Sequence, residues 1–234
     1  MSIKLELNGI TFYQGDFPVL RKVNLSVEKS GVAVVCGKSG QGKTTLLETC
    51  AGLLKPSSGK VLWDGMDINT LKYDDLLKQR QRLGFVFQLP ALICNFTIFE
   101  NIALPLRTMK RYTEDEVYSR VRSSMEELGL FNIESRYPET LSSVQVKTVA
   151  LARALIGEPQ MLFLDEPVSG IDSRNAQGIL NVIFNYHKKC RPTLVITSHT
   201  ADVWPEKCQK FTMESGKVQE GNTDMDFVDF PKVQ

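Results

Sequence analysis

Gly37-Lys38-Ser39-Gly40-Gln41-Gly42-Lys43-Thr44 follows the spacing G-x-x-x-x-G-K-[ST], and each residue type in it has a use toward a polyphosphate. Glycines let the backbone turn tightly enough for successive N–H groups to face one phosphate. A helix starting here adds the positive end of its dipole. Lys43 supplies a charge for the β- and γ-phosphates, and the Thr44 hydroxyl is an oxygen that can coordinate Mg²⁺. Further along, "MLFLDE" (161–166) is an apolar run ending in two acids. A strand of that kind delivers carboxylates to the carboxyl edge of a sheet, where α/β folds bind ligands. Asp165 would then hold Mg²⁺ directly or through water, and Glu166 would orient or polarise an attacking water. His199 closes a second such run, "TLVITSH" (193–199), and can reach the γ-phosphate region as a hydrogen-bond donor. Alone, an Asp-Glu pair reads as a solvated turn and a lone histidine as structural; the phosphate loop gives both a chemical use. His187, beside Lys188 and Lys189, reads as a surface residue.

The elements that must position these groups follow from local pattern. Short β-branched runs alternate with helical patterns, which predicts an α/β domain with a mainly parallel sheet. "GVAVVCG" (31–37) is a buried strand running into the glycine-rich turn, and "TTLLETCAGLL" (44–54) is the helix that follows. "KVLWDGMDI" (60–68) reads as a hairpin around Asp64-Gly65, and with residues 3–12 and 18–27 it predicts a small antiparallel sheet beside the core. From about residue 89 to 157 the pattern turns helical. Thr113 and Glu116 form a capping box, and Val117, Val121, Met125 and Leu128 make one stripe before Gly129. A further helix begins near Ser142 with Val146, Val149, Ala150 and Ala154 on one face, and another starts at Asp172. The expected division of a single 1–234 domain is therefore an antiparallel β subdomain plus the first part of the core (1–88), a helical subdomain (89–157), the rest of the core (158–221) and a C-terminal extension (222–234).

Composition excludes several classes. A formal net charge of +1 argues against a nucleic-acid coat or a polybasic anchor. No apolar run is long enough to cross a bilayer, and the N-terminus lacks a signal-peptide core. The five cysteines are scattered without a C-x-x-C pair, which fits reduced thiols in a cytosolic protein rather than a disulfide frame or metal site.

Six motifs in order resemble the ATP-binding subunits of ABC transporters: Gly37–Thr44, Gln88 at the end of "GFVFQ", "LSSVQ" (141–145), "MLFLDEP" (161–167), "SGID" (169–172) and "TSH" (197–199). The resemblance implies a P-loop NTPase core and ATP hydrolysis with Mg²⁺. It implies nucleotide contacts from Gly37, Lys38, Ser39, Gly40, Gln41, Gly42, Lys43, Thr44 and Thr45, and stacking of adenine on Tyr13, with Phe12 as the fallback. Thr44, Gln88 and Asp165 are implied around the metal, Gln88 also linking it to the membrane contact. Glu166 and His199 are implied in the chemistry, with Asp172 and Ser142 meeting the nucleotide across a dimer interface. The expected partners are transmembrane permease subunits and a second nucleotide-binding subunit, a homodimer being the simplest arrangement. The expected location is cytoplasmic, peripheral on the inner face of the plasma membrane. The segment 84–107 most resembles lipid-transport ATPases of the Mla/MCE type, with lipoprotein-release ATPases next. No long coiled-coil insert lies between Gln88 and Ser142, which counts against a soluble ABC ATPase of DNA repair or translation.

The chain departs from the family pattern in its signature. Where the pattern is Leu-Ser-Gly-Gly-Gln, Ser143 and Val144 replace the glycines, and the basic residue expected three places after Gln145 is Thr148, with Lys147 next to it. Val144 disfavours φ > 0 and puts methyl groups where backbone would approach a phosphate; Ser143 is milder. Two consequences are open: a tolerant site that still closes on ATP, or a weakly hydrolysing or regulatory subunit that pairs with a different ATPase.

Overall fold

The computed structural model describes residues 2–199, 204 and 208–221; the expected extension at 222–234 lies outside the described residues. Strands β1 (Leu5–Gln14) and β2 (Phe17–Val27) form an antiparallel pair, joined by β4 (Ser58–Trp63) and β5 (Met66–Asp67) in the order β2-β1-β4-β5. On β1 the buried positions switch from Leu5 and Leu7 to Ile10. The register slips between Leu7 and Ile10, where Gly9 has φ 61°, so the strand bulges and the apolar face is kept. The β4–β5 turn uses Asp64 (φ 50°) and Gly65 (φ 81°), the left-handed pair a two-residue hairpin requires.

The second sheet holds six strands: β3 (Val32–Cys36), β6 (Leu83–Val86), β7 (Met161–Asp165), β8 (Thr193–Ser198), β9 (Gln209–Glu214) and β10 (Lys217–Glu220), in the order β10-β9-β3-β8-β7-β6. All pairings are parallel except β9–β10. β7 and β8 are buried throughout, as continuous apolar strands covered on both faces must be. No strand was read from the sequence at β9–β10. The available signal was Phe211 and Met213 alternating with polar residues, then the Ser215-Gly216 turn, both residues left-handed.

Among the described residues six α-helices cover this sheet and fill the segment between β6 and β7: α1 (Lys43–Cys50), α2 (Tyr73–Arg80), α3 (Ile98–Met109), α4 (Glu114–Glu127), α5 (Ser143–Leu155) and α6 (Ser173–Cys190). The run read as a helix over 44–54 stops at Cys50. Gly52 takes φ 66°, and its N–H and that of Leu53 close on the carbonyls of Thr49 and Glu48. Helices α3, α4 and α5 each begin with a reciprocal capping box and share a cluster that includes Ile102, Leu106, Val121, Met125 and Val149. One core cluster joins the antiparallel sheet to α1 and one face of the parallel sheet; another packs α5 and α6 on the opposite face. Among the described residues no helix is long and apolar enough to cross a membrane.

Candidate functional site

Parallel register brings the chemistry together. Cys36 lies opposite Ser198, and Asp165 opposite Thr197, so Gly37, Glu166 and His199 leave the sheet side by side. The Gly37 N–H donates to the Ser198 carbonyl at 3.3 Å. Val86 lies opposite Leu164, which places Gln88 beside Glu166.

In the phosphate loop Gly40 and Gly42 take φ 78° and 100°. A Cβ on Gly37 would meet the Met213 carbonyl oxygen at 2.5 Å, and one on Gly42 would meet Val19 at 3.1 Å. β9 and β2 therefore brace the loop from behind, and the Ser215 N–H donates to Gln41 Oε1 at 2.5 Å. Lys38, Ser39 and Gly40 are exposed. α1 starts at Lys43 behind Gly42 with no side-chain cap, so its first N–H groups face outward, as an anion site needs. Thr45, in the first turn of α1, accepts a bond from Thr49 Oγ1 on its carbonyl.

The two acids are almost wholly buried and differ in their partners. Asp165 accepts from Thr44 Oγ1 at 2.7 Å and from Thr197 Oγ1 at 2.5 Å. Glu166 Oε1 lies 3.1 Å from Lys43 Nζ; its Oε2 lies 2.7 Å from His199 Nε2 and accepts from Gln88 Nε2 at 3.2 Å. The Lys43 ammonium also donates to the carbonyls of Gly37 and Lys38, at 2.8 and 3.0 Å. Glu166 is left-handed (φ 45°), and its N–H donates to both the carbonyl and the hydroxyl of Thr197. Burial beside the Asp165 charge pushes the Glu48 carboxyl above its usual range. Lys147, half-buried, is pulled down by desolvation while the Glu166 and Asp165 carboxylates act in the opposite direction.

The donor set suits Mg²⁺. Thr44 offers a hydroxyl, Asp165 a carboxylate and Gln88 an amide oxygen, all hard ligands, and no group of three or more His, Cys, Asp or Glu side chains placed to hold a metal occurs among the described residues. A magnesium ion held by few protein oxygens takes its remaining ligands from phosphate and water.

Tyr13, Ser142 and Asp172 stand apart from this cluster. Tyr13 is half exposed on β1, opposite Pro18 in the hairpin whose Val19 backs Gly42. Phe12 packs on the core instead, while Tyr13 and Phe17 of the same hairpin are both exposed. Ser142 caps α5 by exchanging bonds with Gln145. Asp172 caps α6, and its bonds from Asn175 hold the carboxyl below its usual range. Two readings need correction. Ser143 and Val144 lie in the first turn of α5 and neither has a positive φ, so the β-branched residue strains nothing there. His187 is half-buried rather than fully exposed: its Nε2 meets the Ser30 carbonyl at 3.1 Å, and desolvation pulls its pKa below the ordinary histidine value. Thr197 and Lys147 escaped sequence reasoning, because only strand register and helix packing bring them to the acids.

A family model described as "ABC transporter" matches residues 20–169. The methionine import ATP-binding protein MetN of Vibrio cholerae is 33% identical over 235 residues, spanning 99% of this chain and 68% of that protein. MetN of Helicobacter pylori is 36% identical, and this chain spans 66% of it, about two thirds of the relative's length. The intermembrane phospholipid transport system ATP-binding protein MlaF of Haemophilus influenzae is 33% identical over 85% of this chain and 75% of its own length. The lipoprotein-releasing system ATP-binding protein LolD of Buchnera aphidicola is 35% identical over 77% and 79%. The ATP-binding cassette MJ0796, solved as a dimer in a post-hydrolysis state with ADP and phosphate, matches with a TM-score of 0.87 at 28% identity, over 95% of this chain and 100% of that one. On the sequence match, the shared fold and the motifs together, the chain belongs to the ABC transporter family, as one of its ATP-binding cassette ATPases.

Proposed function

We propose that this chain is the motor subunit of a membrane transporter that moves lipid, with Glu166 as the group that orients the attacking water. The observation that carries the catalytic part is the convergence of Lys43, Gln88 and His199 on one buried carboxylate. Lys43 sits where a polyphosphate meets the loop; an incoming phosphate competes with Glu166 for the ammonium and leaves the carboxylate free to take a proton from water. His199 holds Oε2 and orients the carboxylate. Magnesium, when bound by Thr44 and Asp165 with Gln88 nearby, neutralises charge building on the phosphates. The exposure of Tyr13, on the hairpin whose Val19 backs the phosphate loop, supports a role in stacking on the adenine.

Ser142 at the start of α5 and Asp172 at the start of α6 are helix ends with no bond to their own phosphate loop, which supports a role across an interface with a second cassette. This chain offers a surface suited to a membrane partner. A cavity of about 570 Å³ between Phe85, Phe87, Ile93, Leu104 and Met109 opens beside the segment after Gln88, and Leu89 is largely exposed there. This supports a peripheral location against a permease on the cytoplasmic side. The lipid cargo rests on the resemblance of residues 84–107 to lipid-transport ATPases and on the MlaF relative, while the LolD relative supports lipoprotein release as the alternative. A second reading, amino-acid import, is favoured by the MetN relative that matches along 99% of this chain. Both are tested by purifying the chain with its membrane partners and measuring ATP turnover with added phospholipid or added methionine. Stimulation by phospholipid, with lipid co-purifying, is expected. Stimulation by methionine alone would overturn the lipid reading and leave the ATPase standing.

A further inference from the structure

Helix α5 reaches the catalytic cluster through two cations, and each grips two successive carbonyls. Lys147 Nζ donates to the carbonyls of Glu166 and Pro167, at 3.3 and 3.4 Å. Arg153 donates to those of Pro90 and Ala91, at 2.8 and 2.9 Å. The first pair follows the carboxylate that faces the phosphate loop; the second lies just past Gln88. Both segments carry a left-handed residue, Glu166 (φ 45°) and Ala91 (φ 47°), so neither conformation is one the chain adopts on local preference. The two segments meet in the Gln88–Glu166 hydrogen bond. Thr148, where the family pattern has its basic residue, spends its hydroxyl on the Val144 carbonyl within the helix, leaving Lys147 as the cation of that turn.

We infer that Lys147, with Arg153, is a positioning residue: α5 uses the two cations to fix the backbone behind Glu166 and Gln88 and so sets the contact between those side chains. This rests on the reading of Glu166 as the group that orients water. Ser142 caps the same helix, so a displacement of that end would act on both clamps together. A site whose signature has lost its glycines thus keeps a mechanical line from the start of α5 to its own carboxylate. Burial favours this use of the cation, because a half-buried ammonium must be hydrogen-bonded and these two carbonyls accept from it.

The test is ATP turnover by the full chain with Mg²⁺, for Lys147→Met, Lys147→Arg, Arg153→Met, Glu166→Gln, and Lys147→Met combined with Glu166→Gln. Lys147→Met is expected to lower kcat about tenfold with KM for ATP unchanged within about twofold, since small misplacement of a reacting group is costly while binding is untouched. Arg153→Met is expected to do the same, and Lys147→Arg to recover most of the rate by keeping a donor at the carbonyls. In single turnover, adding Lys147→Met to Glu166→Gln is expected to cause no further loss, because the group being positioned is gone. Wild-type kcat in Lys147→Met, equal loss in Lys147→Arg and Lys147→Met, or a KM that rises in step with the lost kcat would overturn the inference. Further loss on top of Glu166→Gln would do so as well. If Lys147→Met melts below the assay temperature, Lys147→Gln supplies the same comparison with polarity kept. Failure of the underlying reading looks different: Glu166→Gln with wild-type turnover removes both. Glu166→Gln inactive beside a fully active Lys147→Met removes the clamp alone.

Discussion

Replacing Thr197 with valine deletes one hydroxyl from a fully buried position and keeps its shape. That hydroxyl donates to Asp165 Oδ1 at 2.5 Å and accepts from the Glu166 N–H at 3.1 Å. The first bond is to a carboxylate with 1% exposure, so water does not replace it. A bond to a charged group contributes about 1.5–3 kcal/mol, and stranding the acceptor puts the loss toward the upper end. The second loss is smaller, because the Glu166 N–H keeps the Thr197 carbonyl at 3.2 Å. Together the valine is expected to cost about 2–3 kcal/mol. For a chain of this size that lowers Tm by roughly 4–12 °C. With one Asp165 oxygen released and Glu166 less firmly held, kcat is expected to fall about tenfold. The assay is thermal unfolding of the full chain without nucleotide, with ATP turnover below the transition, comparing Thr197→Val with Thr197→Ser. Serine keeps the hydroxyl and loses only a methyl, so it is expected to melt above the valine variant. A valine variant that melts with the wild type while serine melts lower would refute the reasoning, since methyl packing and not the hydroxyl would then matter.

Gly37→Ala places a methyl 2.5 Å from the Met213 carbonyl, a backbone atom that no rotamer change can move. ATP affinity, read by fluorescent-nucleotide titration, is expected to fall at least about tenfold, and unchanged affinity would show that the loop is not braced there. Desolvation lowers the His187 pKa in the fold, so the unfolded chain takes up the proton first as pH falls. Its contribution is complete above pH about 6.5 and is lost as pH drops through the folded pKa; His187→Gln is expected to flatten the fall in Tm between neutral and mildly acidic pH, and an unaltered slope would remove that assignment. Changing Ser143 and Val144 together to glycine is expected to raise turnover of the assembled complex by clearing side chains from the start of α5. The structure requires no left-handed residue at either position, so the gain must come from access alone, and unchanged turnover would show that the signature does not limit the cycle.

How much of this was legible in the sequence depends on how far apart the cooperating residues lie. The phosphate loop and the acids of β7 were readable because each is a local unit in which strand, turn and charge are contiguous. The capping boxes at Thr113 and Ser142 were readable for the same reason. Thr197 was not: its value comes from lying opposite Asp165, 32 residues away, in a parallel register that no local pattern encodes. Lys147 has no assigned use in the sequence pattern, because only helix packing turns it toward the Glu166 carbonyl. The β9–β10 hairpin gives little sequence signal because both strands are short and only Phe211 and Met213 of β9 are buried, yet the Met213 carbonyl fixes where the loop can stand. At Val144 the opposite occurred. The residue type suggested strain, and the helix that begins at Ser143 removed the cause.

On the proposed reading Glu166, held between Lys43 and His199, activates water for ATP hydrolysis. Turnover by the full chain with Mg²⁺, set beside Glu166→Gln with nucleotide affinity measured in both, tests it most directly. Glutamine keeps the shape and the bond to Gln88 or His199 but cannot take a proton. The expected result is unchanged ATP affinity with turnover lowered on the order of 10²-fold or more. Equal turnover in the two chains would contradict the claim and favour a nucleotide-clamped regulatory subunit.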